Sequence, residues 1–107
     1  MGSFGKFIKT EREKKGWSQT EFGALIKINT PAISGIENDR KSFSVAKLEL
    51  LAKLFKLDYN TVKDFYFADK FAKEAYQYNC TEKVHALAEN QSKYLRNKNV
   101  KQGKIKF

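Results

Sequence analysis

The segment Ser18-Gln19-Thr20-Glu21 constrains the fold of this chain more than any other stretch. A serine followed three positions later by a glutamate is a capping box. The hydroxyl accepts from the backbone N–H of the third helical residue, and the carboxylate reaches back to the serine N–H. The start of a helix is thereby set to one residue. Phe22, Gly23 and Ile26 line its inner face, and it is short because Ile28 and Asn29 follow at once. Asn29 is a good N-cap and Pro31 is tolerated in a first turn, so a second helix opens near Thr30, eleven positions after Gln19. Helices this short do not persist alone in water and must be held by neighbours. The second offers Ile33 and Ile36 for that purpose. Its other face, with Thr30, Ala32, Ser34, Gly35 and Asn38, is small or polar and is expected to stay bare.

The neighbours follow from apolar periodicity. Phe4, Phe7, Ile8 and Arg12 share a stripe of a helix from Phe4 to Lys15, and Gly16 stops it. After the polar loop Asn38-Asp39-Arg40-Lys41, Ser44 is expected to cap a fourth helix with the core stripe Val45, Leu48, Leu51, Ala52 and Phe55. Leu57-Asp58 should start a short fifth helix with Val62, Phe65 and Tyr66 turned inward. Beyond residue 68 a further helix is expected from Asp69 to Tyr78, with a stop at Asn79. A last helix, opened by Thr81, carries Val84, Leu87, Ala88, Gln91, Tyr94 and Leu95. Asn97 to Phe107 is expected to be loosely ordered or to pair as a strand with a partner chain. With one Pro and six Gly among 107 residues, few breakers interrupt the chain, and the class is all-α. The organisation read from this is a domain over residues 1–68, a helical extension over 69–96 and a basic tail over 97–107.

Two short helices joined by a tight turn, the second with a polar face, describe a helix-turn-helix. Gly23 sits where the two would cross, a place for Gly or Ala alone, and Ile28 plugs the turn. The runs Glu11-Arg12-Glu13-Lys14-Lys15-Gly16-Trp17-Ser18-Gln19-Thr20-Glu21-Phe22 and Ile33-Ser34-Gly35-Ile36-Glu37-Asn38 resemble the Cro/repressor (xenobiotic-response-element) family. The resemblance runs from about Phe7 to Val62. It implies a five-helix, lambda-repressor-like helix-turn-helix domain, here with a C-terminal helical extension. It also implies a transcriptional regulator, a repressor or controller, that reads double-stranded DNA at a palindromic operator as a homodimer and without a cofactor.

Residue by residue, the resemblance implies an internal ion pair between Arg12 and Glu37. Gln19 matches a residue that hydrogen-bonds a phosphate and can brace the recognition helix. Thr30, Pro31, Ala32, Ser34 and Gly35 match positions facing the major groove, and Asn38, Arg40 and Lys41 match the loop that touches the DNA backbone. Lys27 and Asn29, at the turn, complete the candidate set. Three positions depart from the pattern. Lys27 stands where the turn usually has Gly, so a positive φ or a reach to phosphate is expected there. Gly35 replaces a common Arg, Lys or Gln, and Asp39 replaces a common Gly. The recognition face therefore lacks a long bidentate reader of guanine or adenine. Thr30, Pro31 and Ala32 offer methyl contacts to thymine instead, and phosphate contacts are expected to dominate affinity.

Charge agrees with a polyanionic partner. The net charge is +9, with +4 on residues 1–68 and +5 on residues 69–107. The surplus of aromatic and apolar side chains along residues 62–96, among them Phe67, Phe71, Tyr76, Tyr78, Leu87 and Tyr94, is expected to form a dimer interface. An alternative is an antitoxin whose segment 69–107 binds a protein toxin. Other classes find little support. Cys80 and His85 are too few for a zinc site, no catalytic constellation or phosphate-cradling loop appears, and no run approaches a membrane span. A single Cys and the lack of an apolar leader suggest a cytosolic protein, bacterial or phage-encoded.

Overall fold

Most helix starts in this protein are set by a side chain just ahead of the first turn. The structure is a computed structural model that describes residues 2–102, and side chains for residues 2–98. Ser3 opens α1 (Phe4–Lys14) by accepting from the Lys6 N–H at 3.2 Å. Ser18 opens α2 (Gln19–Ile26) with both bonds of the capping box present: Glu21 N–H to Ser18 Oγ at 3.0 Å and Ser18 N–H to Glu21 Oε1 at 2.8 Å. Asn29 opens α3 (Thr30–Glu37) by accepting from the Ala32 N–H at 2.9 Å. Asp58 opens α5 (Tyr59–Gln77), its carboxylate accepting from the Thr61 N–H at 3.0 Å.

The fourth helix departs from expectation. Ser44 makes no side-chain cap; a single 3-10 turn, Val45–Lys47, precedes α4 (Leu48–Phe55). Val45, expected in the core stripe, is 47% exposed, because the tighter turn rotates it off the face shared by Leu48, Leu51, Ala52 and Phe55.

Two further expectations are corrected. The fifth helix does not stop at residue 68: α5 runs for 19 residues, since Phe65 to Ala72 contains no Gly, Pro or Asn to end it. Asn79, with φ 55°, does end the helical run. The last helix, α6 (Lys83–Gln102), starts two residues after Thr81 and carries on past Asn97. The expectation of a loose or strand-like segment thus fails for residues 97–102; residues 103–107 lie outside the described residues.

The chain divides into two units, residues 1–70 and 71–107. In the first, Phe4, Ile8, Phe22, Ile26, Ile33, Ile36, Phe43, Leu48, Leu51, Ala52, Phe55, Val62 and Tyr66 form one core. Trp17, Phe22 and Phe55 stack, with ring centroids 5.5–6.4 Å apart. Tyr66 is buried, and its hydroxyl donates to the Phe43 carbonyl at 2.8 Å, which satisfies the phenol. In the second unit the Phe71 and His85 rings meet edge to face at 5.6 Å, and Ala75, Val84, Ala88 and Leu95 are half-buried. No helix among the described residues is long and apolar enough to cross a membrane.

Candidate DNA-binding surface

The surface is built on α2 and α3, so the first question is what holds two eight-residue helices in place. The turn between them ends α2 at Lys27, whose φ of 62° is left-handed although the residue carries a side chain. The Lys47 ammonium closes this turn from below, donating to the Ile26 carbonyl at 2.9 Å and to the Lys27 carbonyl at 2.7 Å. A cation at a helix C-terminus satisfies orphan carbonyls and opposes the helix dipole. Gly23 lies against the same turn: a Cβ there would sit 2.5 Å from the Ile28 carbonyl oxygen. The closest approach is thus to the turn backbone, and even Ala would force the turn to shift.

From beneath, α3 is pinned by Ile33, Ile36 and Glu37, all buried. The Arg12 guanidinium donates to Glu37 twice, Nε to Oε2 at 2.7 Å and Nη2 to Oε1 at 3.0 Å, and Nη1 donates to the Trp17 carbonyl at 2.8 Å. The hydrogen bond to Glu37 raises the Arg12 pKa further above its ordinary value, against the opposing effect of burial. Gln19 Nε2 adds a third donor to the Glu37 carboxylate, at 3.1 Å. Gln19 therefore braces α3 in this structure, while remaining half-buried at the surface.

Above that floor the outer face of α3 is open. Pro31 and Asn38 are exposed, and Thr30, Ala32, Ser34 and Gly35 are half-buried. Asn29 spends its side-chain oxygen on the Ala32 N–H. Asn38 spends one amide hydrogen on the Ser34 carbonyl at 2.8 Å. Behind α3 the chain doubles back: Arg40 N–H and Lys41 N–H both donate to the Gly35 carbonyl, at 2.8 and 3.2 Å. A Cβ on Gly35 would lie 3.4 Å from Lys41 Cβ, an ordinary van der Waals contact, so the packing at this point tolerates a small side chain. Lys27, Arg40 and Lys41 are exposed. Asp39, at φ 60°, accepts from the Ser3 hydroxyl at 2.8 Å, tying the loop to the start of α1. Gly5 is buried beside the Ile36 carbonyl, leaving no space for a Cβ.

Sequence reasoning missed three of these features. Lys47 and the Ser3–Asp39 link join residues 20 or more positions apart, with no local signal. Thr20, whose hydroxyl lies 3.2 Å from that of Thr30, was detectable only as a second hydroxyl at the start of a paired helix. The expected interface residues all keep exposed surface in this chain: Phe67 and Phe71 are 43 and 36% exposed, and Tyr76, Tyr78, Leu87 and Tyr94 are 57 to 87% exposed. No group of His, Cys, Asp and Glu among the described residues could hold a metal ion.

A short helix pinned by its inner face, preceded by a closed turn and flanked by basic residues, defines a helix-turn-helix DNA-binding protein. The chain belongs to the helix-turn-helix family whose model, described as "Helix-turn-helix" (HTH_3), matches residues 8–61. It is also similar in fold to a chain from the SinR protein/SinI protein complex, at 20% identity and a TM-score of 0.51, covering 88% of this chain and 98% of that one. No curated protein matches the chain. Family and fold together support a DNA-binding regulator of transcription.

Proposed function

We propose that this protein is a sequence-specific regulator that lays α3 in the major groove of double-stranded DNA and acts as a homodimer on a two-fold-symmetric site. The observation that carries the reading is the division of α3 into two faces. Ile33, Ile36 and Glu37 are locked into the protein, while Thr30, Pro31, Ala32, Ser34 and Asn38 have only solvent or thin cover above them. Thr30, Pro31 and Ala32 contact thymine methyls, and Ser34 supplies a single hydrogen bond. Gln19, Lys27, Asn29, Arg40 and Lys41 lie at the helix ends, where phosphates pass, and contribute affinity without sequence information.

The dimer reading rests on the second unit. Tyr76, Tyr78, Leu87 and Tyr94 are 57–87% exposed, a costly display of aromatic and apolar area unless a second chain covers it. Two copies reading half-sites roughly 34 Å apart bind far more tightly than one. The similar chain from the SinR protein/SinI protein complex likewise belongs to a protein that assembles with another.

Selection from random duplexes tests the reading. An A·T-rich palindrome is expected, with affinity falling steeply with salt, the log–log slope changing by about 0.9 per phosphate contact. Light scattering at tens of micromolar should give twice the chain mass, and Tyr76→Ser with Leu87→Ser should return it to one. A chain that stays monomeric and selects no symmetric site would overturn the proposal.

A further inference from the structure

Adjacent residues of α2 reach the two ends of α3. Gln19 bonds Glu37, the last residue of α3, and the hydroxyls of Thr20 and Thr30, the first residue of α3, lie 3.2 Å apart. The two ties differ in surroundings. The Gln19 bond is partly buried and reinforces the ion pair below it, whereas the threonine pair is exposed. At an exposed position water can replace either partner, so the pair contributes little to stability. What it does change is the freedom of Thr30. A threonine in a helix divides between two χ1 wells, and a hydrogen bond from Oγ1 to a fixed partner selects one of them.

Thr20 is such a partner. It belongs to the first turn of α2, whose start is set by the two bonds between Ser18 and Glu21. Each hydroxyl has one hydrogen and two lone pairs, so the pair consumes one hydrogen and leaves the other O–H available to a ligand. We propose that Thr20, outside the expected contact set, is a positioning residue for base recognition. By holding Thr30 in one rotamer, it presents the methyl and remaining hydrogen-bonding capacity of Thr30 to DNA in a single arrangement. This inference rests on the reading of α3 as the groove helix. Ordering one side chain before binding rather than during it changes affinity about 2- to 10-fold.

The test uses the full chain, the duplex it selects, all single-base-pair variants of that duplex and a scrambled duplex. Thr20→Val removes the hydroxyl at nearly constant shape, Thr20→Ser restores it, and Thr30→Val marks the base pair that Thr30 reads. Thr20→Val is expected to weaken the selected duplex about 2- to 10-fold and to alter preference at the base pair that Thr30→Val also alters. Affinity for the scrambled duplex, its salt slope and the melting temperature should stay at wild-type values. Thr20→Ser should behave as wild type, and the double valine variant should lose no more than Thr30→Val alone. An unchanged preference profile in Thr20→Val overturns the inference. So does an equal loss on selected and scrambled duplexes, which would make Thr20 a phosphate contact in its own right, or a neutral Thr30→Val. A wild-type chain without any sequence preference overturns the groove-helix reading itself, and this inference with it.

Discussion

The side chains of Arg12 and Glu37, 25 positions apart, meet in two parallel hydrogen bonds of 2.7 and 3.0 Å with both groups buried. The pair joins α1 to the end of α3, and each partner makes one further hydrogen bond, Arg12 to the Trp17 carbonyl and Glu37 from Gln19. Removing one partner strands a buried charge, which costs about 3–5 kcal/mol. Arg12→Met and Glu37→Leu should each lower the unfolding free energy from urea denaturation by that amount, while the double variant should recover most of the loss. Additive losses would show that the pair is not coupled through desolvation.

The turn of the helix-turn-helix is held by Lys47. Lys47→Met leaves the Ile26 and Lys27 carbonyls to water alone and should destabilise the domain by about 1 kcal/mol. Lys27→Gly acts in the opposite direction, relieving a side chain from φ 62°, and should stabilise by about 1 kcal/mol. Chemical denaturation of the two variants checks both signs.

Gly23→Ala sets two effects against each other. Helix propensity favours alanine by about 1 kcal/mol. The new Cβ, however, would sit 2.5 Å from the Ile28 carbonyl oxygen, a backbone atom that moves only with the turn. Overpacking of this kind costs about 1–3 kcal/mol, so net destabilisation is expected in thermal melting. A rise in melting temperature would show that the turn yields freely.

Glu21 carries a pH dependence. Its pKa is lowered, chiefly by accepting the Ser18 backbone N–H and then by the Ser18 side chain. A depressed folded-state value means that its contribution is complete above the unfolded carboxylate value, about 4.3, and is lost as pH falls through the folded value. The difference in melting temperature between wild type and Glu21→Gln should therefore be constant above about pH 5 and shrink on acidification. A difference that grows at low pH would contradict the capping geometry.

Much of the fold was legible because its signals are local. Ser18 and Glu21 are three positions apart, and Asn29 is three positions from the N–H it caps, so the ends of α2 and α3 follow from neighbours in sequence. Ile33 and Ile36 announced the inner face of α3 by their spacing. The errors fell where local signals are weak. The 3-10 turn that displaces Val45 has no marker distinguishing it from a first helical turn; no residue near 68 stops α5, and Asn97, an ambiguous stop signal, does not end α6.

By itself, then, the sequence determined where α1, α2 and α3 begin, which faces they bury and that α3 keeps a bare polar side, because capping and periodicity act over three or four residues. Only the tertiary structure decided which distant groups meet. Lys47 beneath the turn, Gly5 against the Ile36 carbonyl, Ser3 at Asp39 and Thr20 at Thr30 depend on how helices cross. Crossing geometry is set by the sum of core packing over the whole unit, and no single stretch of chain encodes it.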